Sequence, residues 1–391
     1  GFTYTGTGGF TTDASITRTL EFGSTGGSAT ISPNLTLTGS GTAVITLNTN
    51  SWFNKLDFGT TAFTIGTTTL NLNSLTLSSG GTFSSLTASM RGTGTITPST
   101  NTTLGALTIN STSGTTTLAA ALTLTATGTA TITSGTLALN GFNLTTGIFA
   151  SSGTVARSIS FGTNNIVLAH TTAATTVLSF ATATGFTYTG TGGFTTDASI
   201  TRTLTFGTTG GSATISPNVT LTGSGTAIVT LASNSWFNTL SFGTTAFDPG
   251  TTTLNLNGLT LSATGTYTTL TANMVGTGTI TSNGNTTLVT LTINSTGDAF
   301  TLSGTGITQL TTGTLDLGGF DLTTGTFNSN NSNTRSIAFG SKNIILAHTT
   351  AGTTVLGMAT ATGFTYTGTG GFTTDASITK TIGFGYTAGG S

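Results

Sequence analysis

The stretch LNLNSLTL at residues 70–77 alternates apolar and polar side chains along most of its length. A period of two places one set of side chains on each face of an extended strand, so the stretch predicts a half-buried β-strand. Segments containing glycine, such as 79–81 and 127–129, predict turns between such runs. Since no segment shows a sustained 3.6-residue period, we expect an all-β chain. The same alternation recurs at Leu35–Leu37, Leu107–Ile109, Leu122–Leu124 and Leu137–Leu139.

The sequence also repeats itself over a much longer distance. Residues 1–20, GFTYTGTGGFTTDASITRTL, recur without change at 185–204, and the first 17 of them return at 363–379. This predicts one unit at 1–184, a second at 185–362 and the start of a third at 363–391. Such repetition is typical of extended architectures in which each unit contacts only its neighbours. We expect the chain to be a segment of a longer protein.

The spacing of the alternating runs favours one kind of all-β fold. They recur about every 20–25 residues, which indicates an elongated parallel β-solenoid, a right-handed β-helix with about 20–25 residues per coil. The two units differ in length at one place, where residues 111–135 of the first unit correspond to the shorter segment 295–313 of the second. A solenoid tolerates one shortened turn because its coils keep their stacking. We expect outward Thr, Ser and Asn side chains to form ladders along the sheets.

A Phe-Gly pair marks the predicted ends of several strands. We expect the Phe to point into the core, where aromatic burial contributes most, and the Gly to turn the chain with a positive φ. The pairs are Phe22-Gly23, Phe58-Gly59, Phe161-Gly162, Phe242-Gly243, Phe339-Gly340 and Phe384-Gly385.

Composition excludes several classes of partner. Charged residues make up 4% of the chain, against about 25% in typical soluble proteins, and the formal net charge is −1. Nucleic-acid binding needs a basic surface, so we expect no nucleic-acid partner. No apolar run approaches the roughly 20 residues of a membrane helix, so we expect no membrane span in this segment. The absence of cysteine excludes disulfides and thiolate metal sites.

The few charges do not suggest catalysis. Glycosidases and lyases with β-helical folds need clustered carboxylates and cations, and no such cluster is visible in the sequence. We therefore expect a protein that is not an enzyme, with no catalytic, metal-binding or cofactor-binding residues and no cofactor. Four charges are lost between the units: Glu21, Lys55, Asp57 and Arg91 become Thr205, Thr239, Ser241 and Val275.

Some polar and aromatic residues do repeat, and they are the candidate contact or assembly residues. Asp13 and Arg18 return as Asp197 and Arg202; an acidic and a basic residue at this spacing could pair or bind turn amides within one coil, or face a neighbouring chain. Trp52 and Trp236 lie in identical Ser-Trp-Phe-Asn strings. An exposed Trp could bind sugars or another fibre, whereas a Trp that covers the core or a turn would be structural, which we favour.

Two further residues repeat between the units. His170 matches His348, and Arg157 matches Arg335. A histidine can act as a metal ligand or a pH switch, but a metal site needs further ligands nearby, so we favour a structural or surface role.

Several strings resemble a known class of surface protein. NLTLTGSGTA at 34–43, GTLALNGFNL at 135–144 and GTLDLGGFDL at 313–322 are similar to passengers of filamentous-haemagglutinin and autotransporter-type adhesins. The resemblance implies a right-handed β-helix that is secreted and displayed on a bacterial surface.

Two classes of function are therefore carried forward. The first is an extracellular structural protein, on a cell surface or as a virion fibre, whose solenoid forms a filament that serves as surface appendage, matrix or adhesin stalk. A weakly charged surface favours self-association, lateral or end-to-end. The second is a binding module, either a phage or cell-surface fibre that binds surface glycans or a receptor, or a Thr-rich ice-binding rod. Against ice binding, the middle residue of Thr-x-Thr is often Leu and the coil lengths vary.

Overall fold

The computed structural model describes 8–13, 18–23, 27–28, 32–38, 45–59, 65, 68–79, 81–100, 102–151, 153–197, 199–212, 215–222, 229–243, 252–261, 267–275, 280–282, 287–293, 301–317, 319, 321–375 and 377–385. In these ranges the chain is built of β-strands and turns, without a helix. It divides into two compact units, Gly1–Thr195 and Thr196–Ser391. The described part contains no helix long and apolar enough to cross a membrane.

The strands of the first unit are β1 (Gly9–Asp13), β2 (Arg18–Leu20), β3 (Asn34–Thr38), β4 (Ile45–Leu47), β5 (Trp52–Asp57), β6 (Thr68–Thr76), β7 (Phe83–Met90), β8 (Gly94–Thr97), β9 (Thr103–Leu118), β10 (Leu122–Leu124), β11 (Thr129–Ala138), β12 (Leu144–Thr146), β13 (Ile148–Ala150), β14 (Arg157–Gly162), β15 (Ile166–Leu168), β16 (Thr175–Thr182) and β17 (Phe186–Gly190). Strand β18 (Gly193–Asp197) contains the boundary between the units.

The strands of the second unit are β19 (Arg202–Thr209), β20 (Asn218–Thr222), β21 (Val229–Leu231), β22 (Ser235–Ser241), β23 (Thr252–Leu261), β24 (Tyr267–Met274), β25 (Ile280–Ser282), β26 (Thr287–Ile293), β27 (Thr301–Leu310), β28 (Gly313–Asp316), β29 (Leu322–Thr324), β30 (Thr326–Asn328), β31 (Arg335–Gly340), β32 (Ile344–Leu346), β33 (Thr353–Met358), β34 (Phe364–Gly368), β35 (Phe372–Thr374) and β36 (Lys380–Phe384).

Within each unit the strands pair in parallel with strands one turn further along the chain, which makes each unit a stack of coils. The described strands define about 13 turns of about 22 residues, so the predicted parallel β-solenoid and its coil length are confirmed. The length of single coils varies more widely. Leu291 pairs with Thr308, 17 residues later, whereas Phe327 pairs with Leu356, 29 residues later. One core column of the first unit consists of Leu70, Ala88, Leu107, Ala130, Phe149 and Leu178.

The number of strands per turn changes along the first unit, which the sequence did not predict. Among the described residues, the coils from β1 to β5 contribute two strands each. The long strand β9 instead takes part in three columns: Leu104 pairs with Leu124, Leu107 with Ala130, and Thr116 with Leu137. In the second unit the third face is a separate sheet of β28, β31 and β34.

The Phe-Gly pairs turn the chain as predicted. All six glycines have a positive φ between 55° and 64°, a conformation that glycine adopts without the steric cost of a Cβ. Four of the phenylalanines are buried, whereas Phe22 is half-buried and Phe384 is exposed. The buried four are Phe58, Phe161, Phe242 and Phe339.

The predicted side-chain ladders are present in both units. Asn54 donates from Nδ2 to Asn34 Oδ1 at 2.8 Å, and Asn73 donates to Asn54 Oδ1 at 2.9 Å. Asn218, Asn238 and Asn257 repeat the ladder with distances of 2.7 and 2.9 Å. Because each amide is both donor and acceptor, the ladder joins three successive coils without charge.

Candidate functional site

The repeated acidic and basic residues form a closed motif at the start of the second unit. Arg202 is buried, and its Nη1 lies 2.6 Å from Asp197 Oδ1. The same nitrogen donates to Thr196 Oγ1 at 3.0 Å and to the Asp197 carbonyl. The Asp197 carboxylate also accepts the Ser199 amide at 3.0 Å and the Ser199 hydroxyl. The predicted pairing within one coil and the predicted bond to a turn amide are both observed.

The third copy of the motif repeats this arrangement with a lysine. Lys380 Nζ lies 3.1 Å from Asp375 Oδ1 and donates to Thr374 Oγ1 at 3.1 Å. Asp375 accepts the Ser377 amide at 3.0 Å. In the first copy, Asp13 ends β1 and Arg18 begins β2, but their side chains lie outside the described part of the structure.

These contacts stabilise the ionised carboxylates. The Ser377 hydroxyl and amide, followed by Lys380, lower the pKa of Asp375 to about 2. Partial burial opposes this effect at Asp197, yet hydrogen bonds from Ser199 and Arg202 still hold the pKa of that carboxyl below its usual value. The motif therefore carries a paired, ionised Asp at neutral pH in both described copies.

Both tryptophans lie beneath a glycine turn. The turn that starts at Gly23 closes with a bond from Gly27 N to Gly23 O of 3.1 Å, and a Cβ on Gly27 would lie 2.3 Å from Trp52 Cδ1. Gly211 stands in the same relation to Trp236, also at 2.3 Å. Each indole is half-buried. Both indoles therefore pack against a glycine turn, and their role as contact residues stays a prediction.

The repeated histidines close turns. His170 is buried, and its Nδ1 accepts the Thr172 amide at 3.0 Å; His348 accepts the Thr350 amide at the same distance. Among the residues that the structure describes, no group of three or more His, Cys, Asp or Glu side chains could hold a metal ion.

The most unusual buried residues are Arg157 and Arg335, to which sequence reasoning assigned no role. Both are less than 3% exposed. Arg157 donates from Nε to Ser151 Oγ at 2.7 Å, and from Nη1 to the carbonyls of Val155 and Thr184 at 2.9 and 3.0 Å. Its Nη2 donates to the Thr182 carbonyl. The guanidinium therefore links the turn before β14 to the end of β16 and to the turn between β16 and β17.

Arg335 repeats this clasp in the second unit. Its Nε bonds Ser329 Oγ at 2.5 Å, and its two Nη groups bond the carbonyls of Asn333, Thr362 and Thr360 at 2.7 to 2.9 Å. All of these acceptors are neutral, and burial lowers the pKa of both arginines from their usual value. The sequence did contain one sign of this role. The Arg is kept in both units, whereas most of the other charged residues of the first unit are replaced in the second.

Outward hydroxyls on the third face of the first unit stand in register. Thr115, Thr136, Ser158 and Thr187 form one column. Thr117, Ala138, Ser160 and Thr189 form a second, two residues further along each strand. The residues between the two columns, Leu137 and Ile159, are buried and do not interrupt the first column. On this face the first column stays in register although successive steps span 21, 22 and 29 residues.

No protein-family model, curated protein or solved structure matches the chain. The fold and the geometry described above therefore carry the functional argument.

Proposed function

We propose that this chain is a non-enzymatic extracellular structural protein whose β-solenoid coils build a fibre or filament. Surface appendage, matrix and adhesin stalk are the roles that fit this proposal. The observation that carries it is the stacking of parallel coils over an apolar core in the described parts of each unit, with asparagine ladders joining the coils outside it. The resemblance of several strings to adhesin passengers supports the same class of function.

The physical basis of the proposal is mechanical. Each coil pairs with the next through main-chain hydrogen bonds, and buried Leu, Ile and Phe add cohesion between coils. Stability in such a stack is a sum of terms between neighbouring coils, so it can be extended by adding repeats. A chain with 4% charged residues presents a mostly neutral Thr, Ser and Asn surface.

Electron microscopy tests the proposal. Negative-stain images of the chain should show uniform rods, and a variant with residues 185–362 duplicated should give rods longer by about 38 Å, or about eight coils at roughly 4.8 Å each. Compact globules, or a duplication that leaves particle length unchanged, would overturn it. Antibodies against the chain should label intact cells or virions of its source at the surface.

Ice binding is a second candidate, because one aligned hydroxyl column runs along the third face of the first unit, beside a second column that Ala138 interrupts. Thermal hysteresis in a freezing assay, lost on Thr136→Lys, is the expected result for that function. Its absence in the wild-type chain would exclude it.

A further inference from the structure

One cation in the first unit stands without a counter-ion. Between residues 22 and 156 the sequence carries three charged residues, Lys55, Asp57 and Arg91. Lys55 Nζ lies 2.9 Å from Asp57 Oδ2, whereas Arg91 makes no ion pair in the described part of the chain. Arg91 is half-buried, and this burial lowers its pKa from the usual value. A guanidinium that has lost part of its hydration is stabilised by an anion beside it.

The guanidinium of Arg91 is held in a fixed position. Its Nε donates to Asn71 Oδ1 at 2.7 Å, and its Cζ lies 5.6 Å from the centroid of the Trp52 ring. Both partners are fixed in turn. Asn71 donates from Nδ2 to the Asn50 carbonyl at 3.0 Å, and the glycine turn that starts at Gly23 packs against Trp52. A group that is already ordered loses little entropy when it binds a ligand.

These contacts leave one side of the guanidinium free to bind. Of its five N–H groups, the bond to Asn71 uses only the one on Nε. Nη1 and Nη2 make no hydrogen bond in the described ranges, and neither is sealed from solvent. The two nitrogens form a planar fork that matches the two oxygens of a carboxylate.

The second unit shows that the fold does not need this cation. The tryptophan and its glycine turn are retained there, but Val275 replaces Arg91. Asn255, which corresponds to Asn71, instead accepts a hydrogen bond on Oδ1 from Asn273 Nδ2 at 2.7 Å. A neutral ladder bond thus takes the structural place of the guanidinium. The requirement for Arg91 in the first unit therefore lies outside coil stacking.

Neutral polar groups surround the cation. Trp52, Asn71 and Ser89 stand in register on the outward side of three successive strands. Thr69 and Thr87 pair two residues earlier on the same side, about 7 Å along the strands. An aromatic ring, a guanidinium and hydroxyls therefore share one surface. Sugar rings present apolar C–H groups and many hydroxyls, and an acidic sugar adds a carboxylate, so its chemistry matches this surface.

We propose that Arg91, Trp52 and Asn71 form a binding site in the first unit for the carboxylate of an acidic saccharide. The carboxylate accepts hydrogen bonds from Nη1 and Nη2 of Arg91, Asn71 holds Nε in place, and the sugar ring lies beside the Trp52 indole. The site goes beyond the proposed fibre function and does not depend on it, because all three residues belong to one unit of one chain.

Tryptophan fluorescence of the whole chain tests the site. In the background Trp236→Phe, Trp52 is the single indole and reports on its own surroundings. A trimer of α-1,4-linked galacturonate should change its emission saturably. Arg91→Val, which introduces the residue of the second unit, should weaken binding at least about tenfold, and Arg91→Lys should also weaken it because lysine lacks the fork. Lys55→Ala is the matched control, since it removes a cation that is already paired, and it should bind like the parent chain.

Building the site a second time gives the sharpest outcome. In the wild-type chain, Val275→Arg combined with Asn273→Ser should raise the stoichiometry measured by calorimetry from one trimer per chain to two. A chain that does not bind the trimer, Arg91→Val that binds like the parent chain, or a stoichiometry that stays at one would overturn the site. Equally tight binding of neutral maltotriose would overturn the carboxylate assignment, and equally tight binding of triglutamate would overturn the saccharide assignment. Rods in the microscope test the fibre function separately.

Discussion

Arg157 donates from Nε to Ser151 Oγ at 2.7 Å inside the wall of the solenoid, and Arg335 makes the same bond to Ser329 in the second unit. An arginine buried among neutral acceptors is costly to desolvate, so the clasp persists only because its donors are occupied. The carbonyls that it binds come from turns of two successive coils. The clasp therefore couples adjacent coils within one long coil, in which Phe149 pairs with Leu178 29 residues later, against about 22 residues in a typical coil.

Arg157→Ala should destabilise the first unit by about 3 kcal/mol, because it leaves several buried carbonyls without a donor. Hydrogen exchange measured by mass spectrometry should show faster exchange across 151–185. Arg91→Val is the matched control, since the second unit carries Val275 there and Arg91 is only partly buried. Equal effects of the two substitutions would contradict a special role for the clasp.

Asn54→Ala should break the asparagine ladder at its centre. Two side-chain hydrogen bonds, to Asn34 and from Asn73, are lost, and at about 1 kcal/mol each the expected cost is about 2 kcal/mol. The midpoint of urea unfolding, followed by circular dichroism, measures the loss. Lys55→Ala on the same strand removes only a surface ion pair with Asp57 and should change the stability by less than about 0.5 kcal/mol. If the ladder contributed nothing to stability, Asn54→Ala and Lys55→Ala would unfold at the same urea concentration.

Two turn glycines allow the cost of a positive φ to be separated from the cost of a steric clash. Gly59 and Gly162 have almost the same positive φ, 58° and 59°, but a Cβ would lie 2.6 Å from the Leu37 carbonyl at Gly59 and meet nothing within 4 Å at Gly162. Gly162→Ala should cost about 1 kcal/mol from backbone strain alone. Gly59→Ala should cost at least about 1 kcal/mol more, because the carbonyl must move. Thermal unfolding of both variants measures the two losses of stability. Equal losses would show that the positive φ alone accounts for them.

The alternation of side chains was enough to predict the core and the class of fold. Leu70 and Leu72 are buried, and so are Leu75 and Leu77 after a shift of one residue at Asn73 and Ser74, so the alternation within each half predicts the core side chains. The Phe-Gly turns were also predictable, because a positive φ at glycine is a local property. Both features depend on residues that are close together in the sequence.

The third face and the arginine clasp could not be predicted in the same way. The alternation of buried residues in β9 shifts phase at 105–106 and at 112–113, but small or polar residues occupy these positions, so the sequence alone does not show where the sheet changes. The acceptors of Arg157 include Thr182 and Thr184, which lie far from it in sequence. Register between coils decides both features, and it depends on packing between distant residues.

Asp375 should titrate at unusually low pH in the folded chain. Its pKa is lowered to about 2, first by the Ser377 hydroxyl and amide and then by Lys380. A carboxyl with a depressed folded pKa stabilises the fold above its unfolded pKa of about 4, and this contribution is lost as the pH falls from about 4 toward 2. NMR of chain labelled at the aspartate carboxyl carbon should show this shift. Ser377→Ala should raise the pKa more than Lys380→Ala, because the hydroxyl bond has the larger effect, and the reverse order would show that charge, not hydrogen bonding, controls this turn.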